Sequence, residues 1–210
     1  MLEEIAEQAR ETGAQTGRAR FADRVMKALG SVPRNRFVPD AEQPWAYENR
    51  PLPIGHAQTI SQPYIVALMT DLLNPKPADV VLEVGTGSGY QAAVLAALVS
   101  RVYSIEIVEP LGRQAERTLR ELGYANVLVR IGDGYQGWPE AAPFDSVIVT
   151  AAAHEVPKPL VDQLKPGGRL VIPVGGGFSQ DLMIVEKNAD GSTLTRTLLP
   201  VRFVPLTRDK

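Results

Sequence analysis

The amino-acid sequence predicts an α/β fold built on a mostly parallel, doubly wound sheet. Residues 80–84 form a short apolar run rich in β-branched side chains, which is typical of a buried strand. Gly85, Gly87 and Gly89 follow at every second position, and the Ala- and Leu-rich segment 90–99 then has helical apolar spacing. A strand, a Gly-rich turn and a helix make the first half of a nucleotide-binding type of βαβ unit, in which the backbone comes close to a ligand.

The chain continues with alternating elements. Further strands are expected at 101–105, 126–131, 144–150 and 169–174, with helices at 110–122 and 156–164. Strands that alternate with helices imply a parallel sheet covered on both faces. The end of the chain is different, because 181–187 and 193–199 flank the turn sequence 188–192, which predicts a C-terminal antiparallel hairpin. Residues 201–204 are a candidate for a last strand.

The N-terminal part is expected to add helices to this core. Residues 1–29 have helical apolar spacing, with interruptions at Gly13 and Gly17 and an end at Gly30. Residues 31–58 contain five prolines that break any regular pattern. Because so long an irregular segment in a compact domain is more often functional than idle, we expect it to lie across the mouth of a site.

A further helix is expected to open within the segment 59–63 and to end at Asn74. Ser61 is well placed to be its N-cap, with a proline in the first turn. A helix N-terminus that faces a pocket also offers free N–H groups to a ligand, so capping and ligand contact are compatible. Spacing alone leaves both interpretations of Ser61 open.

The composition excludes several classes of function. Cysteine is absent, so the chain has no disulfides, thiolate nucleophiles or thiolate zinc sites, and with only His56 and His154 a histidine-rich metal centre is not expected. No apolar run is long enough to span a membrane and the acidic start does not resemble a signal peptide, so we expect a cytoplasmic protein without a membrane partner. The net charge of −2 gives no reason to expect nucleic acid. The basic residues from Arg18 through Arg34 to Arg36 are interpreted as a solvated helix face.

Acidic residues at the ends of three predicted strands indicate the kind of ligand. Glu83, Glu106 and Asp133 should share one edge of the parallel sheet, where ligands bind. Three carboxylates would repel a phosphate-rich ligand, Tyr90 is too large for the dinucleotide fingerprint, and no Gly-Lys-Ser/Thr follows, which excludes a P-loop. They suit a ligand that carries hydroxyls, an amine and a cationic centre, and S-adenosylmethionine is such a ligand.

In this interpretation each acid would lie near a different part of the ligand. Glu106 would accept hydrogen bonds from both ribose hydroxyls, Asp133 would lie near the adenine, and Glu83 would lie near the methionine end. The alternative is that Glu83 and Asp133 simply cap turns, since 132–134 is turn-like by composition. Each acid taken alone leaves the two alternatives open.

Several segments resemble the protein-L-isoaspartate (D-aspartate) O-methyltransferase family. They are VPR (32–34), FVP (37–39), TISQP (59–63), VLEVGTGSGY (81–90), VYSIE (102–106), GDGYQGW (132–138), DQLKPGGRLVIPVG (162–175) and VPLT (204–207). The glycine-rich segment and the PGG turn are shared with many methyltransferases. The TISQP segment and the PVG and VPLT ends are much more particular to this family.

The resemblance implies a class I, Rossmann-like methyltransferase sheet with an N-terminal helical addition and the C-terminal antiparallel hairpin. It implies S-adenosyl-L-methionine as methyl donor, with S-adenosyl-L-homocysteine as product. It implies as acceptor the free carboxyl of an L-isoaspartyl or D-aspartyl residue in a damaged protein or peptide, whose esterification initiates repair. We expect one domain acting as a monomer, with a lid at 1–58, a cofactor-binding core at 59–175 and C-terminal strands at 176–210.

The resemblance also implies roles for individual residues. Ser61 matches the active-site serine, and Thr207 matches a C-terminal position that closes over the cofactor. The cofactor-binding residues expected are Thr59, Ile60, Ser61, Glu83, Gly85, Gly87, Gly89, Glu106, Asp133, Gly134 and Thr207. The acceptor is expected to contact Ile54, Gly55, His56, Pro173, Val174 and Gly175. Two features depart from the family pattern: His154 follows an alanine run where we expect proline or another residue, and the first 30 residues match poorly. The first could alter the substrate rim, and the second concerns the N-terminal lid.

The implied chemistry agrees with the residues that the chain lacks. A carboxylate, with a pKa of about 4, is already ionised at neutral pH, so no general base and neither histidine is required. Ser61 would orient the acceptor by a hydrogen bond, since methyl transfer needs chiefly alignment and exclusion of water. Two rivals remain open: an enzyme that esterifies normal aspartate in a biosynthetic peptide, and a cofactor-binding module without catalysis.

Overall fold

The computed structural model describes residues 1–177 and 179–208. In this part of the chain the α-helices are α1 (Leu2–Thr16), α2 (Asp23–Ser31), α3 (Pro63–Leu73), α4 (Tyr90–Ala96), α5 (Glu109–Glu121) and α6 (Lys158–Asp162). The strands are β1 (Leu52–Gly55), β2 (Gln58–Ile60), β3 (Val80–Val84), β4 (Arg101–Glu106), β5 (Val127–Ile131), β6 (Phe144–Val149), β7 (Leu164–Gly176), β8 (Ser179–Lys187) and β9 (Thr193–Val201). None of the described helices is long and apolar enough to cross a membrane.

The main sheet confirms the predicted topology. Its seven strands lie in the order β5-β4-β3-β6-β7-β8-β9. The pairs among β3 to β7 are parallel, whereas β8 pairs antiparallel with both β7 and β9, which forms the predicted C-terminal hairpin. The order reverses at β3, because β4 lies on one side of it and β6 on the other. Such a switch point leaves a crevice at the carboxyl ends of the strands, where ligands bind.

The core lies on both faces of this sheet. Along β3, Val81 packs with the helices α1 to α4, whereas Leu82 and Val84 pack in a second cluster with α6. Successive side chains of a strand point to opposite faces, and here both faces are covered. This is why the run 80–84 is continuously apolar rather than alternating. The one exception in it, Glu83, is fully buried.

Several predicted boundaries differ from the structure. Gly17 ends α1 with φ 67°, but Gly13 stays within that helix, and α2 continues through Gly30 to Ser31. A glycine ends a helix by adopting a positive φ, and Gly30 does not. A Cβ on Gly30 would lie 3.3 Å from Leu2 Cδ1, so this glycine permits close packing of α1 and α2.

The remaining differences concern shorter elements. Helix α4 ends at Ala96 and α6 covers only Lys158–Asp162, within the predicted 156–164. Strand β9 ends at Val201, so 202–204 do not form a separate strand. The prediction also missed the hairpin β1–β2 inside the proline-rich segment. Its turn, His56 and Ala57, has φ of 51° and 57°, without the Asn-Gly or Asp-Gly signal that usually marks such turns.

Candidate active site

A first cavity lies at the carboxyl ends of β3 and β4, at the switch point of the sheet. It measures about 770 Å³, including space open to solvent. Four stretches of main chain supply most of its wall: 58–61, 84–88, 105–108 and 204–207. The last of these is held to residue 152, because Leu206 N–H donates to Ala152 O at 2.8 Å and Ala152 N–H donates to Val204 O at 2.8 Å. We call this space the donor cavity.

The glycine loop shapes the floor of the donor cavity. Gly85 has φ 96°, and a Cβ there would lie 2.5 Å from Thr150 Oγ1. The Thr150 hydroxyl donates to Gly85 O at 2.6 Å, so the loop is held against the end of β6. Gly87 also lines the cavity, but Gly89 does not: it is the N-cap residue of α4 and its Cα faces Ala115 and Leu119 of α5. Gly89 therefore has a packing role in the structure, and its contact with a cofactor stays a prediction.

Glu106 lies in the wall of the donor cavity, as the sequence predicted. Its side chain is only 5% exposed. Oε2 accepts from Gly87 N–H at 2.7 Å and Oε1 accepts from Val108 N–H at 2.9 Å. Each carboxylate oxygen keeps a further lone pair for the hydroxyls of a ligand. Among the described wall residues it is the only charged side chain, so this cavity is acidic.

Glu83 lies beneath the loop and not in the cavity wall. The Ser104 hydroxyl donates to its Oε2, and the Thr86 hydroxyl lies 2.6 Å from Ser104 Oγ, while Oε1 has no hydrogen-bond partner among the described residues. Burial raises the pKa of Glu83 to about 8, the bond from Ser104 opposes this, and the charge of Glu106 adds to it. The carboxyl is therefore largely protonated at neutral pH and reaches the donor cavity only through Ser104 and Thr86.

Asp133 also lies outside the cavity wall, whereas Gly134 lines it. The Asp133 side chain accepts from Tyr135 N–H at 2.9 Å and caps the 3-10 turn Gly134–Gln136. Its Oδ2 is 3.6 Å from Arg208 Nε. In the structure Asp133 thus caps a turn, which was the alternative interpretation, and its contact with an adenine stays a prediction.

A second cavity adjoins the first on the side of the N-terminal helix. It measures about 1110 Å³, including space open to solvent. Gln8 and Thr12 of α1, Tyr64 of α3 and residues 199–204 contribute to its wall. Arg202 is the only charged side chain among the described residues of this wall, so the second cavity is basic where the first is acidic. We call it the acceptor cavity.

The two cavities meet at a shared wall. The residues that line both are Thr59, Ser61, Thr150 and Val204. Ser61 is half-buried, and its hydroxyl makes no hydrogen bond with a described residue. A free hydroxyl at this junction can contact groups in either cavity.

The prediction that Ser61 is the N-cap of α3 is wrong. The helix begins at Pro63, and Gln62 is the N-cap residue with φ −52° and ψ 134°, but its side chain does not cap the helix. In the first turn, Tyr64 N–H donates instead to Asn49 Oδ1 at 2.9 Å. Proline is favoured at the first helical position and forces the residue before it to be extended. The cap therefore falls one residue later, which leaves Ser61 in the connection between β2 and α3.

The structure brings eight of the eleven predicted cofactor-binding residues together, but none of the six predicted acceptor contacts. Those in the donor cavity wall are Thr59, Ile60, Ser61, Gly85, Gly87, Glu106, Gly134 and Thr207. The six predicted acceptor contacts line neither cavity. Ile54 is buried beside Gly87, and Gly55 and His56 lie at the exposed end of the β1–β2 hairpin.

The three acceptor contacts predicted at the end of β7 are engaged elsewhere. Ala153 N–H donates to Pro173 O at 3.1 Å and Gly175 N–H donates to Ala153 O at 2.8 Å. Val174 pairs with Asp181 of β8, and the exposed His154 lies beside Gly176. Contact of this strand end with an acceptor stays a prediction.

Sequence reasoning missed several residues of the two cavity walls. Thr150 ends the predicted strand 144–150, so the rule that selected the three acids could also have selected it. Gln8, Thr12 and Arg202 carry no local signal, since their place in the wall depends on how α1 and the last residues pack. Within the described ranges there is no group of three or more side chains that could hold a metal ion.

Comparisons with known proteins agree with this architecture. The family model described as protein-L-isoaspartate(D-aspartate) O-methyltransferase matches residues 7–210. The chain is 63% identical to protein-L-isoaspartate O-methyltransferase 1 of Cupriavidus necator, over 98% of this chain and 80% of that protein. It is 62% identical to protein-L-isoaspartate O-methyltransferase 2 of a Polaromonas species, over 99% of both chains.

Solved structures give the same result. A protein-L-isoaspartate O-methyltransferase structure has a TM-score of 0.84 and 30% identity, and the match covers 98% of this chain and 65% of that one. A Plasmodium falciparum chain described as a protein-L-isoaspartate O-methyltransferase, solved in complex with S-adenosyl-L-homocysteine, has a TM-score of 0.81 and 26% identity, over 99% and 98% of the two chains. The present chain belongs to the protein-L-isoaspartate(D-aspartate) O-methyltransferase family.

Proposed function

We propose that this chain transfers the methyl group of S-adenosylmethionine to the free carboxyl of L-isoaspartyl residues in damaged proteins and peptides, and so initiates their repair. The observation that carries the proposal is the junction at Ser61 of an acidic cavity and a basic cavity. A cationic donor and an anionic acceptor are the two partners that such a pair of cavities would hold side by side. Membership of the family supports the same reaction.

The donor cavity fits S-adenosylmethionine in charge and shape. Glu106 has oxygens free to accept from ribose hydroxyls, and Gly85 lets the glycine loop pack against Thr150 in the floor of the cavity, where a Cβ would lie 2.5 Å from the Thr150 hydroxyl. Thr59, Ile60 and Thr207 would form the walls around the bound cofactor. The product complex of the Plasmodium relative supports the same cofactor.

The acceptor cavity fits a carboxylate. Its described wall has no acidic side chain, and Arg202 supplies one positive charge. The carboxylate is ionised at neutral pH and needs no base to remove a proton. The Ser61 hydroxyl would donate a hydrogen bond to it and hold it facing the donor cavity.

The chain's task is then alignment and exclusion of water. When bound, the cofactor supplies an electrophilic methyl group on a sulfonium, so the bond from carboxylate oxygen to methyl forms as the bond from sulfur to methyl breaks. Ser61 and Thr59 would hold the two partners at one wall, and the segment 204–207 would cover the cofactor. Positioning of two reactants in this way supplies much of the rate of such transfers.

The test compares peptides that differ at one residue. The purified protein should transfer labelled methyl to an isoaspartyl peptide and not to its normal aspartyl twin, and a D-aspartyl version establishes whether that residue is also accepted. Equal labelling of the isoaspartyl and aspartyl peptides would favour the enzyme that esterifies normal aspartate. Binding of S-adenosyl-L-homocysteine without transfer to any of these peptides would favour the non-catalytic module.

We further propose that the chain acts as one domain and as a monomer in the cytoplasm, without a nucleic-acid or membrane partner. The absence of cysteine and the net charge of −2 support this proposal. Light scattering of the purified protein at several concentrations checks the oligomeric state, and a mass twice that of the chain would contradict it.

A further inference from the structure

Arg34 is a buried cation that the sequence did not distinguish from its solvated basic neighbours. Its side chain is 0% exposed. Nε donates to Ala46 O at 2.8 Å, Nη1 donates to Ser61 O at 2.9 Å and Nη2 donates to Arg50 O at 3.2 Å. No carboxylate of residues 1–177 or 179–208 forms an ion pair with it. All three acceptors are backbone carbonyls, and they come from three separate places in the chain.

A second contact joins Arg34 to the donor side. Its Cζ lies 5.1 Å from the centre of the Tyr90 ring, over the ring face. Tyr90 is the first residue of α4, directly after the glycine loop, and its ring lines the donor cavity. One guanidinium thus touches both the main chain of the shared wall and the helix that follows the glycine loop.

The burial of the Arg34 guanidinium lowers the stability of the folded state, which suggests that its fixed geometry has a function. Burial of a charge without an opposite charge costs several kcal/mol, which hydrogen bonds only partly offset. Burial lowers the pKa of Arg34 to about 10, so the group is still protonated at neutral pH. A guanidinium is planar and presents five N–H groups in a rigid fork, so it can hold several carbonyls at fixed positions relative to one another.

The main chain of Ser61 lies between the end of β2 and the first turn of α3, where Pro63 has no N–H to donate. The residues that follow are held by Asn49, since Gln62 Nε2 donates to Asn49 O at 3.0 Å and Tyr64 N–H donates to Asn49 Oδ1 at 2.9 Å, but neither bond reaches the Ser61 carbonyl. Among the described residues, only Arg34 donates a hydrogen bond to the Ser61 carbonyl. The position of the Ser61 hydroxyl at the junction of the cavities follows from the position of this main chain.

We propose that Arg34 is a positioning residue for methyl transfer, which holds Ser61 at the junction of the two cavities and in register with the helix behind the glycine loop. The inference rests on the proposed function for its catalytic consequence, whereas its structural part is independent of the reaction. Arg34 touches neither partner of the reaction and acts through Ser61.

The test uses Arg34→Lys and Arg34→Met. An ammonium keeps the charge but cannot reach three separated carbonyls, and methionine keeps only the bulk. Because Arg34 acts through Ser61, we expect kcat with the isoaspartyl peptide to fall by about 10-fold in Arg34→Met, no more than in Ser61→Ala, and by less in Arg34→Lys. The affinity for S-adenosyl-L-homocysteine should change less than about threefold, since Arg34 makes no hydrogen bond to the glycine loop, to Glu106 or to the segment 204–207, which supply the rest of the donor cavity wall.

Arg169→Met is the matched control. Arg169 is partly buried, with a side chain 28% exposed, and like Arg34 it donates to a backbone carbonyl, Leu72 O at 3.1 Å; it also pairs with Glu186 at 2.9 Å and lines neither cavity. We expect it to lower the melting temperature while kcat per folded molecule is unchanged. An equal loss of kcat in Arg169→Met and Arg34→Met at equal folded fraction would overturn the inference.

Hydrogen exchange separates this inference from the proposed function. In Arg34→Met the amides of residues 59–62 should exchange about tenfold faster relative to those of β3 and β4, and in Arg169→Met they should not. If the wild-type protein does not methylate the isoaspartyl peptide, the proposed function fails, but the exchange result still decides whether Arg34 holds Ser61. Unchanged exchange at 59–62, or turnover and cofactor affinity that fall together, would overturn the role of Arg34. Arg34→Lys serves for both measurements if Arg34→Met does not fold.

Discussion

The carboxylate of Glu106 accepts a hydrogen bond from the backbone N–H of Gly87 at 2.7 Å, so the acid at the end of one strand holds the glycine loop that follows the neighbouring strand. These residues are 19 positions apart in the chain and meet because β3 and β4 are parallel neighbours. The bond gives Glu106 two functions, since it shapes the loop and presents the only described charge in the donor cavity.

Replacement of Glu106 should therefore weaken cofactor binding. In Glu106→Gln the charge is lost and an NH2 group replaces one carboxylate oxygen. This group cannot accept the hydrogen bond from the N–H of Gly87 or Val108, nor one from a ribose hydroxyl. Loss of a hydrogen bond to a charged group costs about 1.5–3 kcal/mol, so Kd for S-adenosyl-L-homocysteine should rise about 10- to 100-fold by calorimetry. Glu109→Gln is the control, because Glu109 is exposed, pairs only with Arg113 and lines neither cavity. A similar Kd in both variants would contradict the position of Glu106.

Ser61→Ala should separate binding from turnover. The hydroxyl has no protein partner among the described residues, so its loss should not destabilise the fold, and the melting temperature should be close to that of the wild type. The affinity for S-adenosyl-L-homocysteine should also be retained, while kcat with the isoaspartyl peptide falls by about 10-fold or more because the acceptor loses a directed hydrogen bond. Unchanged turnover would mean that Ser61 is only part of the wall.

Arg202→Gln tests the charge of the acceptor cavity. Since Arg202 is exposed, its interaction with a carboxylate should be worth about 0.2–1 kcal/mol, which is a loss of about 1.4- to fivefold in kcat/KM. In the wild type kcat/KM should fall as salt is added, and in Arg202→Gln this dependence should be weaker. Arg196→Gln, on β9 and paired with Glu186, is the control and should behave like the wild type. The same salt dependence in all three proteins would rule out an electrostatic role for Arg202.

Glu83 predicts a dependence of stability on pH. Its pKa is raised from 4.5 in the unfolded chain to about 8 by burial, so the folded state keeps a proton that the unfolded state releases between these values. The free energy of unfolding should therefore fall as pH rises from about 4.5 to about 8. The decrease is at most about 1.4 kcal/mol for each pH unit in this range.

Glu83→Gln removes this titration and keeps an oxygen that can accept from Ser104. Urea unfolding at about pH 5 and about pH 9 should show a decrease in the free energy of unfolding that is on the order of a few kcal/mol larger in the wild type than in Glu83→Gln. Parallel pH profiles for the two proteins would show that the carboxyl is not protonated in the folded state.

Local patterns were sufficient to predict the framework of the site. Apolar periodicity located the seven strands of the main sheet and most helices, though not the β1–β2 hairpin, and the three alternate glycines located the loop. The rule that parallel strands end at one edge selected Glu83, Glu106 and Asp133, and of these Glu106 lies in the wall of the donor cavity. Ser61 was placed in the site by family resemblance, while its predicted role as a helix cap was wrong because Pro63 moves the cap to Gln62.

By itself the sequence determined the order of the elements, the glycine loop and the acid at the end of β4, because these depend on side-chain period and backbone freedom within a few residues. Only the tertiary structure decided that Glu83 lies beneath the loop and that Arg34 is buried against the Ser61 carbonyl, 27 residues away. It also decided that α1 walls the acceptor cavity, where Thr12 meets Tyr64 across 52 residues. Such contacts follow from how distant elements pack, and no local pattern of residue types records that packing.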